Sequence, residues 1–93
     1  MDSQVIREHA ILLDEAITKN VGAHADVDFL ATYTPLLEAI QDAKRGEIST
    51  PRYLGLSRWE LESNIRDVEE VSHRLAQFEL LLEGCMLAGG NKD

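Results

Sequence analysis

Three histidines, one cysteine and an acid-rich stretch are the residues of this 93-residue chain whose types could do chemistry. His9, His24 and His73 include no pair at the i, i+4 spacing by which one helix offers two imidazoles to zinc, and Cys85 has no histidine within four residues. Glu70 and His73 do stand at a Glu-x-x-His spacing, which can present a carboxylate and an imidazole to a metal inside a helical bundle. Taking Val68 and Leu75 as the inward direction, about 100° per residue turns Glu70 about 160° and His73 about 140° away from the core. Both should face solvent, and no second copy of the spacing exists. The expectation is therefore no metal and no cofactor. Nucleophilic catalysis finds no better support. Ser57 reads as a helix cap, Ser63 and Ser72 have no base placed beside them by motif, and no glycine-rich strand-to-helix turn could hold phosphates. The chain is expected not to be an enzyme.

Ser72-His73-Arg74-Leu75 resembles, over these few residues, the phosphorylated segment of histidine phosphotransfer domains. That family follows the leucine with a lysine and a small residue, whereas Ala76, Gln77 and Phe78 stand here, and too little chain follows for two further helices. The residues favour a solvated helix histidine.

What remains is surface. Between Glu60 and Glu70 stand five acids (Glu60, Glu62, Asp67, Glu69 and Glu70) against Arg66 alone, a net −4 out of −8 for the whole chain. One reading is a solvated helix face with Glu62–Arg66 and Glu70–Arg74 ion pairs, worth about 0.2–0.5 kcal/mol each. The other is an acidic docking strip for a basic protein partner, which would speed association and weaken with salt. Trp59 sits almost opposite the apolar seam of its helix, so it either packs under the 51–56 loop or anchors an interface, where tryptophan is enriched. The candidate partner-binding residues are Trp59, Glu62, Asp67, Glu69 and Glu70. Leu80 and Leu81 make the last helical turns apolar most of the way round, to be covered by neighbouring helices or by a homodimer through the C-terminal helix. Glu79 points inward, so it needs a partner such as Arg7 or a tyrosine hydroxyl, or it must hold a proton, unless it lies beyond the core and is wet.

These residues must be positioned by helices. Leucine and alanine total 22, against 15 for valine, isoleucine and threonine, which favours helix over strand. Ile6, Ala10, Leu13, Ile17 and Val21 share one side of a first helix over about 3–20, stopped by Gly22. Phe29, Tyr33, Leu36, Leu37 and Ile40 repeat the rhythm over 27–45, with Asp26 or Asp28 as N-cap. Pro35 interrupts that helix; a kink is favoured over a new start capped by Thr34, because the stripe passes through in phase. A short helical turn is expected over 51–54. Ser57-Arg58-Trp59-Glu60 matches a capping box. It opens one long helix over 58–84, whose seam runs Leu61, Ile65, Val68, Val71, Leu75, Phe78, Leu82. The expected architecture is a single all-α domain: a small antiparallel bundle of three main helices plus one short helical turn.

Charge and length narrow the setting. Seventeen acids against nine bases and a pI near 4.7 argue against nucleic acid, which demands a basic footprint. The first ten residues carry Asp2, Arg7 and Glu8 where a secretory signal is apolar, and Leu80–Leu87 is split by Glu83 and Gly84, so neither membrane insertion nor export is expected. One cysteine makes no internal disulfide, which suits a cytoplasmic location. Gly89 to Asp93 reads as a frayed tail.

The amphipathic first helix, Tyr33-Thr34-Pro35 leading into Leu36–Ile40, the turn Arg52-Tyr53-Leu54 and the acid-rich stretch Leu56–Glu62 together resemble the small acidic all-helical immunity proteins of type VI secretion toxins. Among these the likeness is nearest to the immunity family paired with an NAD-degrading secreted toxin. The resemblance implies a non-catalytic protein that binds a cognate bacterial toxin and occludes its active site. A regulatory binding protein, such as a phage-encoded inhibitor or a transcription-factor antagonist, would use the same surface.

Overall fold

The computed structural model describes residues 3–84. Cys85 and the tail read as frayed lie outside them. Five α-helices and one 3₁₀ turn follow in order: α1 (Ser3–Asn20), α2 (Ala25–Leu30), α3 (Thr34–Lys44), α4 (Ser57–Glu62), the 3₁₀ turn Ile65–Asp67, and α5 (Glu69–Leu82). No strand occurs among the described residues, and the all-α expectation holds.

Helix α1 is the spine, packing against both α3 and α5. Its buried face, Ile6, Ala10, Leu13, Ala16 and Ile17, follows the spacing read from sequence. Val21 falls outside the helix and is exposed. Gly22, at φ +87°, supplies the left-handed residue that ends the helix without a Cβ penalty. Asp28 does not cap α2; its carboxylate accepts the Gly22 amide at 2.7 Å. His24 is the cap instead, its Nδ1 accepting the Asp26 amide at 3.2 Å.

At Pro35 the chain breaks cleanly rather than kinking. Ala31, Thr32 and Tyr33 separate α2 from α3, and the proline lies in the first turn of α3, where no amide hydrogen is missed and no preceding carbonyl is crowded. The stripe survives in part: Leu36 and Ile40 are buried, while Phe29 and Leu37 stay exposed.

Residues 51–54 form no helix. The Arg52 amide donates to the Leu82 carbonyl at 2.7 Å, so the segment completes the end of α5 instead of its own turn. Ile48, Leu54 and Leu56 plug the core from this connection, and the Tyr33 hydroxyl donates to the Leu54 carbonyl at 2.8 Å.

The long last helix expected over 58–84 is three pieces. The chain turns at Ser63, which is extended at ψ 178°, and resumes through the 3₁₀ turn. Ile65, Val71, Leu75, Phe78 and Leu82 are buried as the seam requires, but Leu61 is 72% exposed. The physical reason is Trp59. A straight helix would turn it away from the core, whereas the break lets its ring stack on Phe29 of α2, with centroids 4.9 Å apart. A tryptophan removes more apolar surface from water than a leucine, so the rotation that covers Trp59 and exposes Leu61 is favourable. The break is held by the Asn64 amide donating to Asp26 at 2.8 Å and the Ile65 amide donating to the Ser63 hydroxyl at 3.3 Å. The capping box does not form: Leu56 holds the cap position, Ser57 is already helical, and Glu60 is turned elsewhere.

Candidate functional site

The five residues singled out from sequence do not share one helix face, because the break distributes them. Trp59 and Glu62 belong to α4, Asp67 to the 3₁₀ turn, and Glu69 and Glu70 to the first turn of α5. Trp59 is half-buried against the core. Glu62 pairs back to Arg58 at 3.0 Å rather than forward to Arg66. Glu70 pairs across to Lys19 of α1 at 3.0 Å rather than with Arg74, and that ammonium holds its carboxyl below the usual range. Asp67 and Glu69 are exposed and make no ion pair among the described residues. Glu70 and His73 both face solvent, as the helical angles indicated.

The more distinctive feature lies where α4 folds back towards α5. Two adjoining hollows of about 530 and 540 Å³ share Arg66, Ser72 and Ala76 as lining. One ends at Glu69 and His73; the other is enclosed by Glu60, Glu79 and Glu83, with Leu61 and Leu80 as apolar walls. Leu80 is 43% exposed, whereas Leu81 and Leu82 are covered within the chain.

Glu79 governs the second hollow. It is only 8% exposed, and its Oε2 has no hydrogen-bond partner among the described residues. Burial, above all, pushes its carboxyl up to about 9; a hydrogen bond with Glu60 and the charges of Glu60 and Glu83 add to the shift. Glu79 therefore carries a proton at neutral pH, shared towards Glu60. Neither Arg7 nor a tyrosine hydroxyl neutralises it; the neighbours that shift it are acids.

Sequence reasoning placed Glu79 inward but missed its companions. Glu83 was visible as a like-charged i, i+4 neighbour. Glu60 could be joined to Glu79 only by recognising the break, whose signal was Ser63-Asn64, two poor helix formers in succession. Among the described residues no group of three His, Cys, Asp or Glu is arranged to hold a metal ion, and no helix is long and apolar enough to cross a membrane. This face presents carboxyls, one of them protonated and buried, beside apolar side chains. No protein-family model, curated protein or solved structure matches the chain.

Proposed function

We propose that the chain is a non-catalytic binding protein whose α4–α5 face docks on a basic protein surface, and that its partner is a bacterial toxin of the type VI secretion kind, which it neutralises by covering the toxin's active cleft. The observation that carries the reading is the excess of negative charge on this face over the one cation, Arg66, that lines its hollows. Asp67 and Glu69 stand exposed and unpaired among the described residues, next to a groove walled by further carboxylates and by exposed Leu61 and Leu80. Such a surface steers a basic partner by long-range attraction and offers apolar contact once the partner arrives. The resemblance to immunity proteins supplies the class of partner, and a cytoplasmic location suits that role.

The test begins with affinity purification from the native cell and identification of what co-purifies. That protein is then expressed alone and together with this chain. Growth arrest by the partner alone, relieved by co-expression, supports toxin neutralisation. A non-toxic partner, such as a transcription factor, would move the chain to the regulatory class. Asp67→Lys with Glu69→Lys is the informative variant, since neither residue makes an ion pair among the described residues; Glu70 is a poorer choice because its reversal sets two cations together at Lys19. The double variant should weaken binding about 10-fold or more at low salt, and less as salt rises. Unchanged binding would refute the docking face.

A further inference from the structure

The end of the groove lined by Glu60, Glu79 and Glu83 has a more specific form than an acidic patch. Glu79 lines an open hollow of about 540 Å³, and its buried Oε2 has no hydrogen-bond partner among the described residues. A buried acceptor without a donor is costly, and native structures leave few of them. Glu60 lies within hydrogen-bonding reach of the same carboxyl, and Glu83 adds its charge nearby. Leu61, 72% exposed, and Leu80 wall the same hollow. A group that donates hydrogen bonds satisfies that Glu79 oxygen, the carboxyls of Glu60 and Glu83 favour one with positive charge, and the two leucines favour apolar flanks.

We propose that the end of the groove enclosed by Glu60, Glu79 and Glu83 is a receptacle for one arginine side chain of a partner protein, its aliphatic stem lying between Leu61 and Leu80. The proposal rests on reading the chain as a protein-binding module and names what that module grips. A guanidinium suits the site better than an ammonium. Its planar fork can span two neighbouring carboxyls, and its weaker hydration makes entry between two leucines less costly. A metal ion is a poor occupant, since the described residues do not converge in a coordinating arrangement.

Occupancy is linked to a proton. Glu79 holds one in the free protein; when the guanidinium pairs with it, that proton leaves to buffer and the carboxylate becomes ionised. Glu60 on α4, Glu83 at the end of α5 and Arg66 on the 3₁₀ turn are the other charged groups lining this hollow. The two glutamates favour the proton on Glu79 in the free state and the cation in the bound state.

The probe is a short blocked peptide carrying one arginine between two leucines, titrated into the full chain by NMR and calorimetry. Its citrulline counterpart, neutral but of nearly the same shape, is the control. The arginine peptide should shift amides of 57–61 and 76–83, with a dissociation constant on the order of 1 mM. Affinity should rise by up to about 10-fold per pH unit between pH 6 and 8, with proton release detected in buffers of differing ionisation enthalpy. Glu79→Gln, which keeps shape and removes the charge, should weaken binding about 10-fold and abolish the proton release. Equal binding of the citrulline peptide, or an unchanged response in Glu79→Gln, would overturn the receptacle. The Asp67→Lys, Glu69→Lys variant separates the two ideas. If it loses the natural partner while the arginine peptide fails to bind the parent chain, the docking face stands and the receptacle falls. If the partner is unaffected but the peptide binds as described, the receptacle stands and the docking face falls.

Discussion

A single protonated carboxyl reverses the usual acid–base behaviour of this protein. Asp42 is held below the ordinary carboxylate range, first by the Arg52 guanidinium and then by Arg45, and Glu70 by Lys19. Both stabilise the fold at neutral pH and lose that contribution as pH falls through their lowered values. Glu79 has the opposite sign. The folded chain keeps its proton up to about 9 whereas the unfolded chain releases it near 4.5, so between those values folding takes up a proton and stability falls as pH rises. The slope is at most about 1.4 kcal/mol per pH unit. Stability should thus peak in mildly acidic solution near pH 5, with Glu79 lowering it on the alkaline side and Asp42 and Glu70 on the acid side. Glu79→Gln should match the parent near pH 5 and exceed it at pH 8. Urea midpoints at the two pH values check this, and parallel profiles for the two proteins would contradict it.

Among the elements, α1 and the buried seam of α5 are where the sequence speaks most plainly. Their apolar residues repeat at helical spacing without a competing demand, and Ile6 to Ile17 and Val71 to Leu82 settle where that spacing puts them. The stretch 57–64 was misread for a physical reason: two apolar side chains on opposite sides of one helix competed for cover, and periodicity counts matches without weighing areas. Trp59 won because Phe29 stood across from it. That partner is about 30 positions away in sequence, and the docking it creates is what brings Glu60 to Glu79. Expectations for Asp26 failed similarly. It reads as a local cap, yet its carboxylate serves the Asn64 amide at 2.8 Å across the fold. Helix α4, with six residues, is too short to persist unaided, so these long-range contacts hold it. Asp26→Ala should cost about 1 kcal/mol. It should raise hydrogen exchange at 57–64 well before that of α1 or α5. Uniform acceleration across the chain would show instead that α4 opens only with the whole fold.

At the scale of the molecule, charge and shape set how copies meet. The chain carries −8, and the groove that exposes Leu61 and Leu80 is lined by the carboxyls of Glu60, Glu79 and Glu83. A two-fold dimer through this face would bring the ionised Glu60 and Glu83 of each copy against those of the other, at a cost. Light scattering should therefore find monomer at pH 7.5, and association should appear as pH approaches 4.7, where the net charge vanishes. Leu80→Glu should suppress that association; a stable dimer at neutral pH would refute the argument. The chain's sole tryptophan rides on the short helix that also carries Glu60 and Leu61, with its ring laid on Phe29. Its emission colour and intensity therefore follow how that helix sits on its neighbour. Whatever enters or loosens the groove can be timed in unlabelled protein, by a fluorophore that nature placed beside the acids.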